Sequence, residues 1–139
     1  MRVRSVVLGL VAVVAAGCAS QPPRQPANVT RGAAAPSAMP AVRAGDATPE
    51  LLAANFSSLV ARRGQTWAGQ FVTSTNVASV EVRTNLFSID VPRTQFGRFA
   101  FSVDLLDVPS VFVRKYALRV IVRNSAGAET EEDVPFEIR

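Results

Sequence analysis

The sequence predicts an all-β domain over residues 50–139, specifically a two-sheet antiparallel sandwich of seven strands. From Asn55 onward, apolar and polar residues alternate, which is typical of strands with one buried and one exposed face. Turn-forming residues separate these runs at intervals of about 8–14 residues, the spacing of short antiparallel strands. The chain contains a single cysteine, so packing rather than an intramolecular disulfide bond has to hold the sandwich together.

Each predicted strand is an alternating run bounded by turn signals. In chain order, the seven predicted strands cover residues 56–60, 66–71, 77–84, 87–91, 99–105, 116–123 and 134–138. Residues 49–55 are expected to form at most one turn of helix. Pro92 restricts the fourth strand to an edge or an end of its sheet, because proline lacks the N–H that a central strand donates. The side chains expected to face the interior include Val80, Val82, Phe99, Phe101, Leu118 and Val120.

Three segments of this region carry recognisable motifs. Tyr116-x-Leu-x-Val-x-Val followed by Arg123-Asn-Ser-Ala-Gly127 resembles the sixth strand and the next turn of immunoglobulin-like modules of bacterial envelope proteins. Trp67-x-Gly-x-Phe resembles their second strand, and Val80-Glu-Val-Arg83 resembles their third. The resemblance implies that the seven-stranded antiparallel sandwich is immunoglobulin-like, without the inter-sheet cysteines of antibody domains. It also implies that the Tyr116 hydroxyl donates a hydrogen bond back to the preceding loop.

The first eighteen residues have the pattern of a bacterial export signal. Arg2 and Arg4 make its start positive, and the apolar stretch 5–17 has the length of a signal core and is too short to span a bilayer as a helix. Ala15-Ala-Gly-Cys18 resembles the lipobox of bacterial lipoproteins, although that family has Leu, Val or Ile where Ala15 stands. The resemblance implies cleavage before Cys18 and attachment of lipid to its thiol. Ordinary secretion with an incidental Cys18 is the alternative.

The predicted organisation therefore has three parts: a lipoprotein signal peptide (1–17), lipidated Cys18 with a disordered linker (18–49), and the sandwich (50–139). Residues 21–49 hold six of the nine prolines and no aromatic residue, so they offer too little apolar surface to offset the entropy of ordering. The lipid on Cys18 implies a membrane partner in the cell envelope. Ala19, where Asp would resemble an inner-membrane retention signal, favours the outer membrane if the organism has one.

The distribution of charge argues against a nucleic-acid partner. The formal net charge is +4, but residues 50–139 carry ten basic and ten acidic side chains, so the excess lies in the signal and the linker. A neutral domain lacks the basic footprint that binding to a polyanion requires.

The residue types present offer little for catalysis or metal binding. The chain has no histidine, which is the commonest general base and metal ligand, and Lys115 is its only lysine. Asp104, Asp107 and the acidic run 129–133 supply oxygen ligands of the kind that Ca²⁺ prefers, but without the ordered spacing of a calcium loop. We therefore expect no catalytic residue, no metal, no cofactor and no small-molecule substrate.

Two places are candidates for an interaction surface. Arg119, Ile121 and Arg123 are expected on the exposed face of the sixth strand, either as part of an ion-paired solvent face or as a protein-binding surface with Ile121 at its centre. In the preceding loop, Phe112 either packs over the open end of the sandwich or forms, with Arg114, a tip that contacts a partner or a membrane.

These patterns predict a non-catalytic envelope lipoprotein whose immunoglobulin-like domain mediates or scaffolds protein interactions. The alternative is a module that binds carbohydrate or cell wall, which needs exposed aromatic side chains. An outward-facing Trp67 would favour that alternative and a buried one would weaken it.

Overall fold

The computed structural model describes residues 27–32 and 34–139, and nearly all of its regular structure is β-strand. The strands are β1 (Asn28–Arg31), β2 (Leu51–Phe56), β3 (Val60–Ala61), β4 (Thr66–Thr73), β5 (Val77–Arg83), β6 (Ser88–Val91), β7 (Arg93–Gln95), β8 (Arg98–Asp104), β9 (Lys115–Asn124) and β10 (Glu129–Ile138). A short 3-10 helix, Ser110–Phe112, precedes β9. None of the described elements is a helix with the length and hydropathy needed to cross a bilayer.

The strands form two five-stranded sheets, which confirms the all-β prediction. The first sheet has the order β1-β2-β4-β8-β7, and the second has the order β3-β10-β9-β5-β6. Most neighbours are antiparallel, but β1 runs parallel to β2 and β3 runs parallel to β10. The prediction of seven strands, all antiparallel, is therefore wrong: the described residues form ten strands in two mixed sheets.

Two of the additional strands arise where the chain passes from one sheet to the other. The bounds of the first predicted strand, 56–60, are wrong: β2 (Leu51–Phe56) occupies the segment where at most one helical turn is expected, and residues 57–59 then carry the chain from the first sheet to β3 in the second. Likewise, β6 ends at Val91, and after Pro92 the chain continues as β7 in the first sheet. Because proline cannot donate to a ladder, Pro92 stands between two edge strands, as the sequence predicts.

The third additional strand comes from the predicted linker. Residues 28–31 pair with β2, and Asn55 accepts a hydrogen bond from the Thr30 hydroxyl at 2.9 Å. The prediction of a disordered linker is therefore wrong for residues 27–32 and 34–49, whereas residues 18–26, the signal peptide and Cys18 lie outside the described residues. Composition misled the prediction because the folded sheets, and not the segment itself, supply the partners that order it.

Residues 34–49, which we call the strap, are fixed to the sandwich through their backbone carbonyl groups. Among these hydrogen bonds, the Arg98 guanidinium donates to Ala38 O (3.1 Å) and Thr75 N donates to Ala41 O (2.8 Å). Nearer the end of the strap, Asn124 Nδ2 donates to Ala47 O (2.9 Å) and Thr130 Oγ1 donates to Pro49 O (2.6 Å). Every residue, including proline, keeps a backbone carbonyl that can accept a hydrogen bond, so this composition is compatible with an ordered strap.

The hydrophobic core lies between the two sheets. Trp67 of β4 and Phe136 of β10 meet across it, with their ring centroids 4.5 Å apart. Six of the side chains that the alternation predicts to face inward are buried, which confirms their assignment: Val80, Val82, Phe99, Phe101, Leu118 and Val120. Gly69 is required opposite Phe101, because a Cβ atom at that position would lie 2.4 Å from the phenylalanine ring.

Candidate functional site

One end of the sandwich, which we call the loop end, is where β4 and β9 begin and β8 and β10 end. Backbone hydrogen bonds hold its connections together: Gly64 N donates to Leu105 O at 2.8 Å, and Leu105 N donates to Gln65 O at 2.9 Å. The connection 105–114 then turns through the 3-10 helix after Pro109. Because Pro109 has a fixed φ and no N–H, it is well suited to the start of that turn.

A cavity of about 560 Å³ opens at the loop end, between the two sheets and beneath the 105–114 connection. Its walls are mostly apolar and come from both sheets and from the connection. The lining residues are Trp67, Phe87, Ile89, Val103, Asp104, Leu105, Leu106, Asp107, Val108, Pro109, Phe112, Phe136 and Ile138. Three of them, Trp67, Phe136 and Ile138, are buried core residues, so the cavity reaches into the hydrophobic core.

Trp67 faces the interior and not the solvent. Its side chain is 2% exposed, and its indole N–H donates to Ser58 O at 3.0 Å. Its ring is stacked on that of Phe56, with centroids 5.8 Å apart. A buried tryptophan cannot serve as an exposed platform for a sugar ring, which weakens the carbohydrate-binding alternative.

Phe112 packs over the open end of the sandwich. Its side chain is half-buried against the core and lines the cavity, and its carbonyl oxygen accepts a hydrogen bond from the Tyr116 hydroxyl at 2.7 Å. This hydrogen bond to the preceding loop confirms the contact predicted for Tyr116. Arg114 is exposed and lies 5.8 Å from the centroid of the Tyr116 ring. The neighbouring side chains of Val111 and Val113 are exposed.

The outer face of the second sheet is covered by ion pairs. Arg119 is paired with Glu131 at 3.2 Å and with Asp133 at 3.1 Å. Arg123 is paired with Glu81 and Glu129, both at 2.9 Å. These contacts correspond to the ion-paired face that the sequence allows.

Ile121 is buried, so the expectation of an exposed isoleucine at the centre of this face is wrong. Its side chain points outward, as predicted, but is only 1% exposed. The strand register places Glu81 and Glu131 directly opposite it. Because Ile121 lies in the middle strand of the sheet, the long paired side chains around it exclude solvent, and it cannot contact a partner in this arrangement.

Glu81 is the buried charged residue of this face. Its side chain is 7% exposed and contacts Arg83 at 2.7 Å and Arg123 at 2.9 Å. The hydrogen bond from Arg123 lowers the pKa of the Glu81 carboxyl below its usual value; burial acts in the opposite direction, and Arg83 lowers the pKa further. The group is therefore a structural carboxylate that is ionised at neutral pH.

The acidic residues considered as calcium ligands lie apart. Asp104 accepts a hydrogen bond from the Thr66 hydroxyl at 2.6 Å, and Asp104 and Asp107 both line the cavity. Residues of the acidic run 129–133 pair with arginines on the outer face instead. Within residues 27–32 and 34–139, no group of three or more possible metal ligands comes together.

No protein-family model and no curated protein sequence matches this chain. Among solved structures, the chain is similar to a DUF4785 family protein from Legionella pneumophila, with 13% sequence identity and a TM-score of 0.48. The match covers 61% of this chain and 27% of that chain, so it spans about a quarter of the length of the Legionella protein. At this TM-score the likeness supports no inference about function.

The cavity is the part of the site that sequence reasoning misses. Phe87, Ile89 and Val103 are predicted as ordinary inward side chains, and the structure places them inward but around open space. The one available signal is the consecutive apolar run 111–113 beside a basic pair, which marks the loop as unusual. Periodicity reports which way a side chain points, and it carries no information about how far apart two sheets stand at their ends.

Proposed function

We propose that this chain is a membrane-tethered, non-catalytic lipoprotein whose immunoglobulin-like domain binds a protein partner in the cell envelope through its loop end. The exposed apolar side chains at that end carry the proposal. Seven large hydrophobic side chains are exposed among the described residues, and four of them, Leu86, Leu106, Val111 and Val113, adjoin the cavity-lining segments. The other three, Met39, Val42 and Phe96, lie in or near the strap. Clustered apolar exposure of this kind marks interaction sites.

Strand order supports the immunoglobulin-like assignment. Those domains place strands A, B, E and D in one sheet and C, F and G in the other. The order β2-β4-β8-β7 has the same arrangement as A-B-E-D, and β10-β9-β5 has the same arrangement as G-F-C, with β6 added beyond β5. The Tyr116 hydrogen bond is a further similarity. The position of the core tryptophan on β4 rather than on β5 is a departure from the antibody pattern.

The proposal of a lipid tether is based on the segment Ala15-Ala-Gly-Cys18, which lies outside the described residues. Its resemblance to a lipobox supports a lipid on Cys18, and Ala19 supports the outer membrane as its location. Mass spectrometry of the mature N-terminus tests this part. We expect a chain that begins at Cys18 and carries the added mass of diacylglycerol, and a Cys18→Ser variant that lacks this mass. An unmodified N-terminus at another position would contradict the tether.

The partner-binding part is tested by photo-crosslinking in intact cells. A photoreactive amino acid at position 111, at the loop end, should capture one or a few specific envelope proteins. The same amino acid at position 42 is the matched control, because Val42 is also exposed but belongs to the strap. The same products at both positions, or no product at position 111, would contradict binding through the loop end.

A matched pair of substitutions separates binding from folding. Val111→Ser should abolish the cross-links of a probe placed at position 106 without changing stability, since Val111 is 63% exposed. Val42→Ser, at a residue 84% exposed in the strap, should change neither property.

A further inference from the structure

We propose that the cavity at the loop end is a binding site for a small organic cation with an apolar body, of the alkyltrimethylammonium class. This site goes beyond the proposed protein contact and does not depend on it. The inference rests on the size of the cavity, on the side chains of its walls and on the charge at its rim.

The size of the cavity fits a small molecule. Ligand pockets usually measure about 300–1,000 Å³ and are lined mainly by apolar and aromatic side chains with a few polar groups. This cavity measures about 560 Å³, and its walls have that composition. Three of its lining residues, Trp67, Phe136 and Ile138, are at most 3% exposed, so part of the cavity wall is formed by the hydrophobic core.

The walls of the cavity combine aromatic rings with carboxylates. Four aromatic side chains line it: Trp67, Phe87, Phe112 and Phe136. The rings of Trp67 and Phe136 pack on each other, so the half-buried rings of Phe87 and Phe112 offer the accessible aromatic surface. Aromatic rings recognise quaternary ammonium groups, because their negative faces attract a cation that carries little hydration. Asp104 and Asp107 add two carboxylates to the lining, and no basic residue of the described ranges 27–32 and 34–139 contributes to it. This combination favours an organic cation over an anion of the same shape.

The two carboxylates keep free acceptor capacity for a ligand. The Thr66 hydroxyl, a neutral donor, occupies only Oδ1 of Asp104. Among the described residues, neither aspartate takes part in an ion pair. By contrast, Arg114 is held over the Tyr116 ring and does not line the cavity. The negative charge at the rim is therefore uncompensated by a neighbouring side chain.

Trp67 provides a direct readout, because it is the only tryptophan in the chain and it lines the cavity. The full chain is mixed with vesicles of phosphatidylethanolamine and phosphatidylglycerol, and its fluorescence is titrated with pentyltrimethylammonium, hexanoate and 1-hexanol. Vesicles without protein are subtracted. We expect a saturable change with the cation, at least about tenfold weaker binding of hexanoate, and intermediate binding of 1-hexanol, because the three probes have apolar tails of similar length and carry a positive, a negative and no charge. An absent or non-saturable response to the cation, or equal affinity for all three probes, overturns the proposal.

Charge-neutral variants test the role of the rim. Asp104→Asn and Asp107→Asn should each weaken binding of the cation by about fivefold and leave binding of 1-hexanol unchanged, since a partly exposed ion pair contributes up to about 1 kcal/mol. Asp46→Asn, an exposed aspartate in the strap, is the matched control and should change neither affinity. Unchanged affinity for the cation in both rim variants overturns the proposal.

A last arm distinguishes a free cation from the headgroup of a choline lipid. Addition of phosphatidylcholine to the vesicles should raise the apparent dissociation constant of pentyltrimethylammonium if the lipid headgroup enters the cavity. An unchanged constant assigns the site to free cations. Both results retain the recognition of a quaternary ammonium group.

Discussion

At the scale of single residues, Glu81 shows how an outward-facing side chain becomes structural. It lies on the solvent side of the second sheet, yet its side chain is 7% exposed and is paired with Arg83 and Arg123. The two arginines keep 52% and 32% of their side-chain exposure. The contribution of this cluster to the free energy of unfolding therefore lies between that of an exposed ion pair and that of a fully buried ion pair.

We predict that Glu81→Gln lowers the free energy of unfolding by about 1–2 kcal/mol at pH 7, because it leaves two guanidinium groups without their shared carboxylate. The pKa of Glu81 is lowered in the folded state, so the stabilisation by its charge is complete above the unfolded value of 4.5 and is lost as pH falls through the folded pKa. Urea unfolding from pH 7 down to pH 3 should show the two proteins converging in acid. Glu131→Gln, on the same face but 40% exposed, should cost less than about 0.5 kcal/mol. A constant difference at every pH would contradict this account.

Tyr116 offers a second prediction at this scale. Tyr116→Phe should lower the free energy of unfolding by about 1 kcal/mol, because it removes the 2.7 Å hydrogen bond to Phe112 O. The ring keeps its contacts with Phe87 and Phe136, at centroid distances of 5.9 and 6.3 Å, so packing should be preserved. Equilibrium unfolding in urea measures the change. Hydrogen exchange should accelerate in residues 109–114 and remain unchanged in β5, and equal acceleration in both would show a general loss of packing.

At the scale of elements, alternation located the central strands closely. The prediction of 77–84 for β5 and 116–123 for β9 agrees with the observed Val77–Arg83 and Lys115–Asn124 to within one residue at each end. Each of these strands pairs with a neighbour on both sides and has one face toward the core and one toward the outside, so its sequence carries a period of two. β3 and β7 have two and three residues, too few for a period, and their existence depends on where the chain changes sheets.

The alternation of apolar and polar residues does not predict the strap and β1, and the reason is different. Their order comes from contacts with distant residues, above all with the buried side chain of Asn55. Asn55 accepts from the Thr30 hydroxyl and donates to Gly32 O and Ala34 O. A single sequence does not reveal that an asparagine inside a strand will bind a segment more than twenty residues earlier in the chain.

We predict that Asn55→Ala lowers the free energy of unfolding by about 2 kcal/mol, because it removes several hydrogen bonds of a buried side chain. The loss of protection should begin in the segment that Asn55 binds. Hydrogen exchange by mass spectrometry should show faster exchange in residues 28–38, while β9 and β10 retain their protection. Thr130→Val, which removes the hydroxyl bonded to Pro49 O at the other end of the strap, is the control and should loosen residues near 49 but not β1. Unchanged exchange of β1 in Asn55→Ala would contradict the role of this residue.

At the scale of the whole molecule, the candidate site was only partly predictable. The loop 105–114 stands out in the sequence, and the packing of Phe112 was one of its two alternatives. The cavity depends instead on two sheets that separate at their ends and on side chains from four strands, β4, β6, β8 and β10, together with the 105–114 connection. Similarly, alternation placed Ile121 outward correctly, but its burial depends on the neighbouring strands that surround it.

The strap also decides where the folded domain begins. Val72 points away from the inter-sheet core but is only 1% exposed. Its partner in the register on β8 is Arg98, and the Arg98 guanidinium donates to Ala38 O of the strap. The strap therefore passes over this part of the first sheet and covers Val72. The domain consequently includes residues before position 50.

We predict that the full chain resists trypsin after Arg31, which lies in β1, and after Arg43, which is held by a 2.9 Å ion pair to Glu50. A disordered linker would be cut at both positions as fast as an unfolded peptide, because proteolysis follows the population of open backbone. A time course by mass spectrometry measures both rates, with a urea-unfolded sample as the reference for full cleavage.

In a separate comparison, the free energy of unfolding of a chain that begins at residue 50 should be at least about 2 kcal/mol lower than that of a chain that begins at residue 27, since the shorter chain exposes Val72 to water. Rapid cleavage at both arginines, together with equal stability of the two chains, would show that the folded domain begins at residue 50.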